Sequence, residues 1–325
     1  MHRSLSARLF DNDWVGPAAV TLLAIIIITA FQPSFLSPFN IQVLLSAIAI
    51  NMMIALGQLV IIGIGQMNLS LGTLGGLVAV CFAGLMEVYG LNPFLAVAAG
   101  ALIGILGGAV NGWIIARTGI SAFIITLATL QLFKGINLGI SEAQPFYGVP
   151  DSVKMFGNTV MLGPIPWLVL PMLVVAAAIW VILNRLRIGR YMLAYGGNRT
   201  AAELSGMSTT ATIVWAHALS GLLAAIAGMM LVSRLQLGQP TIGDDWLIAS
   251  FAAPVIGGAV LAGGQVSVVG TFFGVVIIAI ITQALVIFAI NPFVVQIVLG
   301  GLILWAIGMN RLREMRVAKM MGRRT

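Results

Sequence analysis

Long runs of apolar residues, separated by short polar breaks, fill most of the chain. A membrane span needs about 20 apolar residues at roughly 1.5 Å of rise each. Runs of this kind predict an all-α, polytopic integral membrane protein with about ten transmembrane helices. Several runs, the second, third, eighth and ninth, are rich in glycine, and we expect some spans to be broken or re-entrant. The ten runs lie at residues 17–36, 41–64, 70–89, 93–115, 121–139, 164–184, 210–233, 247–263, 267–289 and 293–310.

The composition supports membrane embedding. Of the 325 residues, 60% are hydrophobic and only 8% are charged, whereas a soluble domain of this length needs much more charged surface. The net charge of +7 does not indicate nucleic-acid binding, because the basic residues cluster beside apolar runs rather than along one face. Such clusters are typical of topology signals and of contacts with anionic lipid.

The distribution of basic residues predicts the orientation. With both termini in the cytoplasm, 13 of the 16 lysines and arginines lie inside, as the positive-inside rule requires. The chain then divides into a cytoplasmic tail at 1–16, one transmembrane domain at 17–310 and a basic cytoplasmic tail at 311–325. Two loops stand out, an outer one at 140–163 and a cytoplasmic one at 185–209. In the second, Asn198 or Thr200 is placed to cap a short helix that could dock another protein.

The residues give no basis for an enzyme. No phosphate-binding loop occurs, so we expect no ATP site on this chain. The two histidines are far apart in sequence and no cluster has metal-ligand spacing, so we expect neither a metal nor a cofactor. The nine acidic residues fall at span ends or in loops, whereas ion-coupled carriers place acids near the midplane. We therefore expect the driving energy to come from another protein at the cytoplasmic face.

Uncharged polar residues within the apolar runs are the candidates for the substrate pathway. An unpaired amide in hydrocarbon costs several kcal/mol, so these groups must face protein, water or solute. For each of these residues two roles stay open: a hydrogen bond to another helix, or a place in the lining of a pathway. A neutral polar lumen would suit a hydroxylated neutral solute better than an ion. The candidates are Asn51, Gln58, Gln66, Asn68, Ser70, Asn111, Thr126 and Thr129.

Two stretches of the chain share a short pattern. Gly65-Gln66 followed by Asn92-Pro93-Phe94 recurs as Gly264-Gln265 followed by Asn291-Pro292-Phe293. Transporters often contain internal repeats. Five matched residues leave both a repeat and a chance match open.

Several strings are similar to one known family. Gly65-Gln66-Met67-Asn68-Leu69-Ser70-Leu71-Gly72, Asn111-Gly112, Ser121 to Thr129, Gly189-Arg190 to Ser205-Gly206 and the glycine-rich stretch from Ile256 to Gly274 occur in the order of its signatures. With these strings the chain resembles the permease subunits of bacterial ribose-type sugar ABC importers, which are related to branched-chain amino-acid permeases. Asn68 stands where that family usually has aspartate, and Ala259-Val260 replaces Thr-Ser, so the resemblance does not identify a particular sugar.

The resemblance implies the partners. A second permease copy, identical or a paralogue, would pair with this one in the bacterial inner membrane. A solute-binding protein would deliver the solute from outside, and ATPase subunits that bind the ATP would dock at the cytoplasmic face. The segment that resembles the coupling region contains Gly197, Asn198, Ala201, Ala202, Glu203 and Gly206.

The acidic residues of the outer surface are candidates for contact with the binding protein. They are Asp151, Asp244 and Asp245.

The predicted function is import of a small neutral polar solute, a monosaccharide or related polyol, as the permease subunit of an ABC importer. Two alternatives stay open. One is a permease for branched-chain amino acids, which differs in cargo. The other is a secondary carrier that works alone.

Overall fold

The computed structural model describes residues 15–291 and, after them, only positions 294, 297, 300, 301, 304 and 308. The described part of the chain is mostly helical, with 76% of its residues in helices. A short 3-10 turn, Pro33–Leu36, and a small antiparallel hairpin of β1 (Val160–Leu162) and β2 (Ile165–Pro166) are also present. The α-helices are α1 Val15–Phe31, α2 Pro38–Gly63, α3 Leu71–Glu87, α4 Pro93–Thr118, α5 Ala122–Ser141, α6 Asp151–Asn158, α7 Val169–Arg185, α8 Arg187–Gly197, α9 Arg199–Leu204, α10 Thr209–Leu235, α11 Trp246–Ile256 and α12 Val268–Ile287.

The polar breaks in the sequence set the helix starts. Ser37 accepts from the backbone N–H of Asn40 at the start of α2, and Asn92 accepts from Phe94 at the start of α4. Proline follows each of these caps, where its missing N–H costs nothing. Ser267 caps α12 in the same way through Gly270. The predicted boundaries of these helices are therefore close to the observed ones.

The spans are confirmed only in part. Five helices, α2, α4, α5, α10 and α12, are long and apolar enough to cross a membrane, and α7 with α8 forms a sixth candidate bent by 67°. Helices α1, α3 and α11 are apolar but shorter. Most of the run at 293–310 and both tails lie outside the described residues. The count of ten spans and the cytoplasmic termini stay predictions.

Helix α2 forms the centre of the described structure. From Ile48 to Gly63 nearly every side chain is buried, which explains why its sequence is apolar on all sides. Helix α10 packs along α2, α3 and α4. Its closest approach to α4 is at Gly104, Gly108 and Gly221, where a Cβ atom would overlap the backbone of the facing helix. Glycines thus bring these two backbones into direct contact.

The eighth predicted span, at 247–263, is shorter in the structure. Its helix, α11, ends at Ile256, and residues 257–267 form an irregular segment with positive φ at Gly258, Gly263 and Gly264. A similar segment, 64–70, separates α2 from α3 and contains Gly65 with φ of 70°. Of the four glycine-rich runs only the eighth is interrupted, at 257–263. The other irregular segment, 64–70, is the predicted connection between the second and third runs, and the helices of the second, third and ninth runs are unbroken. We call the two irregular segments the first break (64–70) and the second break (257–267).

The loops gather at the two ends of the molecule as the predicted topology requires. At one end, Phe146 pairs with Gly238, and Arg234 donates to Asn158. At the other end, the turn at Gly119 meets Arg199 and Thr209. We call these the outer end and the cytoplasmic end, after the prediction from charge. The outer loop 140–163 contains α6 and β1, and the cytoplasmic loop 185–209 contains α8 and α9.

Candidate functional site

Side chains of neighbouring helices satisfy the backbone of the first break. With its amide oriented to pair with both groups, Gln58 donates to the carbonyl of Asn68 (3.1 Å) and accepts from the N–H of Asn68 (3.3 Å). The N–H of Leu69 donates to Thr126 Oγ1 of α5 at 3.1 Å. Irregular backbone at membrane depth is tolerated only when such partners exist. Gln58 and Thr126 therefore hold the break in one conformation.

The side chain of Asn68 continues the network. Asn68 Oδ1 accepts from the Ser70 N–H (3.1 Å) and from Ser70 Oγ (2.9 Å). Its amide donates to Ser220 Oγ of α10 at 3.2 Å, and the amide of Asn111 on α4 donates to Ser70 Oγ at 2.8 Å. All four side chains are fully buried. The network ties the first break to α4 and α10.

The pathway candidates thus lie in different places. Gln58, Asn68, Ser70, Asn111 and Thr126 are buried in this network. In this structure these five residues therefore serve as hydrogen-bonding groups between helices.

The remaining pathway candidates lie outside the network core. Thr129 is buried on α5, where its hydroxyl is 3.4 Å from the carbonyl of Thr126. Asn51 is half-buried on α2. Gln66 is half-buried, lies 3.0 Å from Nε2 of His217, and lines a cleft at the cytoplasmic end.

The two breaks meet in a cluster of glycines. The N–H of Gly264 donates to the carbonyl of Gly63 at 3.0 Å. A Cβ atom on Gly65 would lie 2.8 Å from the carbonyl oxygen of Ala262, and one on Gly263 would lie 2.8 Å from that of Gly196. We call Gly63, Gly65, Gly196, Gly263 and Gly264 the glycine junction. It joins both breaks to α8, the helix that precedes α9.

The junction has a bearing on the shared sequence pattern. Gly65 and Gly264 occupy the same place in the two copies of the pattern, and both belong to the glycine junction. Helix α3 follows the first break, and helix α12 follows the second. Helix α4 begins after Asn92, whereas the residues after Asn291 lie mostly outside the described part. The sequence suggested that the two segments could correspond, but it did not suggest that they touch.

Three clefts on one face of the protein form a continuous groove. The outer cleft, of about 260 Å³, shares Leu69 and Leu247 with a middle cleft of about 300 Å³. The middle cleft shares Met67 and Leu261 with a cytoplasmic cleft of about 360 Å³. We call the three together the groove. Sequence reasoning missed Met67, Leu69, Leu247 and Leu261 as groove residues, because an apolar residue carries no signal of its own in an apolar chain.

The chemistry of the groove changes along its length. Lys134 and Asp244 lie in the outer cleft, and Gln66, Tyr195 and Arg199 lie in the cytoplasmic cleft. The lining residues of the middle cleft are all apolar: Met67, Leu69, Leu247, Ile248, Phe251, Val255 and Leu261. Two polar ends with an apolar stretch between them form an arrangement that can gate passage by excluding water.

Each basic side chain of the groove has an acidic partner. Lys134 Nζ lies 2.6 Å from Asp244 Oδ1, and Arg199 Nε lies 2.8 Å from Glu203 Oε1. Among the described residues, no group of three His, Cys, Asp and Glu side chains is placed to hold a metal ion. The paired charges suit a neutral solute better than an ion.

The three acidic docking candidates differ in their surroundings. Asp244 is in the ion pair with Lys134. Asp245, the next residue, is exposed at the start of α11. Asp151 is at the first turn of α6 with 94% of its side chain exposed. Only Asp151 and Asp245 present carboxylates outside the groove lining.

The coupling candidates form one compact segment. Asn198 Oδ1 accepts from the N–H of Ala201 and so caps α9, as the sequence predicted. Ala202 is buried, and Gly206 ends the segment with φ of 76°. Gly197 lies against Gly264 of the glycine junction. The Arg199–Glu203 pair bridges one turn of α9.

Replacement of Gln58 by methionine tests the role of the network. The change keeps the side-chain length but leaves the N–H and carbonyl of Asn68 without their partner. We expect a loss of about 1–3 kcal/mol for each orphaned group, seen as a lower midpoint of thermal unfolding of the purified protein. Gln131→Met, at an exposed position of α5, is the control and should unfold like the parent. Equal midpoints for the two variants would contradict the role of Gln58.

Comparison with known proteins identifies the family. The family model described as branched-chain amino acid transport system / permease component matches residues 40–307. The ribose import permease protein of Bacillus subtilis (strain 168) is 37% identical over 91% of this chain and 92% of its own length. The D-allose transport system permease protein of Escherichia coli (strain K12) is 33% identical over 92% of each chain.

A third relative is named for import of a further sugar. The galactose/methyl galactoside import permease protein of the same Escherichia coli strain is 31% identical over 93% of this chain and 95% of its own. No solved structure matches the chain at a significant level. The resemblance inferred from the sequence strings is confirmed: the chain belongs to the family of ribose-type import permeases, within the wider group of branched-chain amino acid transport permease components.

Proposed function

We propose that this chain is the membrane permease subunit of an ATP-driven importer for a monosaccharide. The observation that carries the proposal is the match, over nine-tenths of the chain, to permeases named for ribose, allose and galactose import. The groove supports it, because its charges are paired and its polar ends can bond a neutral hydroxylated solute. The chain itself acts as a transport subunit and not as an enzyme.

The groove would form one half of the translocation pathway. Among the described residues it lies open on one face, so these residues do not enclose a channel by themselves. A second copy, identical or a paralogue, would close it by bringing another such face against it. The apolar middle cleft would then form a constriction between two polar vestibules, and passage would require the two copies to move apart there.

The energy would come from ATPase subunits at the cytoplasmic end, which would bind the ATP. Leu204, on α9, has 85% of its surface exposed. An exposed leucine on a short polar helix is a suitable anchor for a groove on a partner protein. Movement of α9 would reach the two breaks through α8 and the glycine junction. The residues at the junction touch through their backbones, so little of a displacement would be absorbed by side chains.

Uptake measurements test the proposed function. The permease, reconstituted in liposomes with its ATPase and its solute-binding protein, should accumulate D-ribose, D-allose or D-galactose when ATP is supplied inside. The permease alone should accumulate none of them against a gradient, because a groove without a coupled energy source only equilibrates a solute. Accumulation by the permease alone would favour a secondary carrier.

The identity of the transported solute is tested by comparing sugars with amino acids. The matching family model is named for branched-chain amino acids, whereas the curated relatives above are named for sugars. The same liposomes are therefore tested with L-leucine and L-valine. Uptake of these amino acids in place of the sugars would contradict the proposed cargo.

Replacement of Leu204 tests the ATPase contact. Leu204→Ser removes the exposed apolar group, and since interface anchors contribute about 2 kcal/mol or more, we expect the ATPase to dissociate at least about tenfold more readily on co-purification. Leu162→Ser is the control, because Leu162 is also largely exposed, at 72%, but belongs to the outer hairpin. Equal recovery of the ATPase with both variants would contradict the contact.

Charge reversal at Asp151 tests docking of the solute-binding protein at the outer end. Asp151→Lys should weaken binding of the solute-binding protein at low salt, since it replaces an exposed attraction by a repulsion. The difference from the parent should shrink as salt screens the charges. Identical binding of parent and variant at low salt would exclude this contact.

A further inference from the structure

Lys134 has an unusual position for a lysine. It belongs to the apolar helix α5, seven residues before the helix ends at Ser141, which corresponds to about 10 Å along the helix axis. A charged side chain within an apolar helix is costly and is therefore a candidate for a functional site. Lys134 is paired with Asp244, yet 23% of its side chain and 45% of that of Asp244 remain exposed. The exposed parts of the pair face the outer cleft.

Lys134 helps to hold the outer end together, because its Nζ donates to the carbonyl of Pro240 at 2.9 Å as well as to Asp244. The segment from Gln236 to Asp245 is also fastened to α5 by Asn137, whose amide donates to the carbonyl of Pro240 at 3.0 Å. It is fastened to α3 because Gly72 and Gly243 pack with no room for a side chain between them. The structural role of Lys134 therefore leaves one feature without an account, the carboxylate of Asp244, of whose side chain 45% is exposed in the cleft.

The cleft around the pair has the chemistry of a sugar site. The carboxylate of Asp244 can accept hydrogen bonds from sugar hydroxyl groups. The three N–H donors of Lys134 are directed at Asp244 and the carbonyl of Pro240, so Lys134 holds this carboxylate in place. Because the pair is net neutral, it offers these bonds without favouring an ion. Leu69, Leu130 and Leu247 line the same cleft and present apolar surface to the C–H face of a ring.

The size of the cleft limits the ligand. Its volume is about 260 Å³, close to the lower limit of about 300 Å³ for small-molecule sites. One sugar ring fits this volume better than two. The apolar middle cleft comes next along the groove. A solute that enters the middle cleft loses hydrogen bonds. A site in the outer cleft that supplies hydrogen bonds would hold the solute immediately before it crosses the apolar stretch.

We infer that the outer cleft is a binding site for one monosaccharide ring, with the Asp244 carboxylate, held in place by Lys134, as its polar contact and Leu130 and Leu247 as its apolar walls. The inference rests on the proposed function, of which it names a substrate site on the permease itself. It adds a step of recognition after delivery by the solute-binding protein.

Protection of a thiol tests the site. In a Cys81→Ser background, Leu130→Cys places a thiol in the outer cleft of the permease–ATPase complex, which is held in nanodiscs without the solute-binding protein. The rate of its modification by a small maleimide is measured during titration with D-ribose, D-allose and D-galactose. At a sugar concentration of twice the dissociation constant, two thirds of the sites are occupied and labelling should be about threefold slower.

The chain offers its own control. Cys81 lines a different cleft, with Gly84, Tyr89 and Phe146, so its labelling in the parent protein should not respond to the sugar. Trehalose, with two rings, should not protect the thiol at position 130. Lys134→Met combined with Asp244→Leu should abolish protection, and Asp244→Asn, which keeps the shape of the cleft, should weaken it.

The outcomes separate the inference from the proposed function. Absence of protection by all three sugars, or equal protection in Asp244→Asn and the parent, would overturn the site. Equal protection by trehalose would overturn it as well, because it would indicate an effect of the medium. If the complete importer accumulates a sugar and no protection occurs, the inference alone fails. If the complete importer accumulates no sugar, the proposed function fails.

Discussion

The structure depends on one requirement, that backbone amides and carbonyls at membrane depth have hydrogen-bond partners. A regular helix meets the requirement by itself, and a broken one does not. The first break meets it through Gln58, Asn68 and Thr126, which come from α2, the break itself and α5. The groove exists because the chain is not helical at the first break. The polar side chains are needed there because they bond the backbone groups that the break leaves unpaired.

The groove follows from this arrangement. Leaving the helix at residues 64–70 turns Met67 and Leu69 toward one face, while α11 supplies Leu247, Phe251 and Val255 to the same face. The polar residues that make the break possible are therefore hidden behind an apolar wall. A polar residue inside a span is thus poor evidence for a polar pathway, since its first task is to satisfy the backbone.

Much of the fold could be predicted from the sequence, and the site only in part. Caps such as Asn92 and Asn198 are local signals, so helix starts near them are readable from a few residues. The partners of a polar side chain are not local: Asn68 bonds Ser220, 152 positions away. The ion pair of Lys134 with Asp244 spans 110 positions. No periodicity links such residues, so their roles could not be read before the helices were placed in space.

The glycine junction has a consequence for how this protein can change over generations. Three separate stretches of chain touch there through bare backbone, at Gly63, Gly196 and Gly264. At Gly196 a methyl group would overlap Gly63 and approach Gly264 to 2.8 Å, so two other stretches would have to retreat together to admit it. We therefore expect changes in cargo to arise on the walls of the groove, where a replacement displaces only side chains, rather than at the glycine junction behind them.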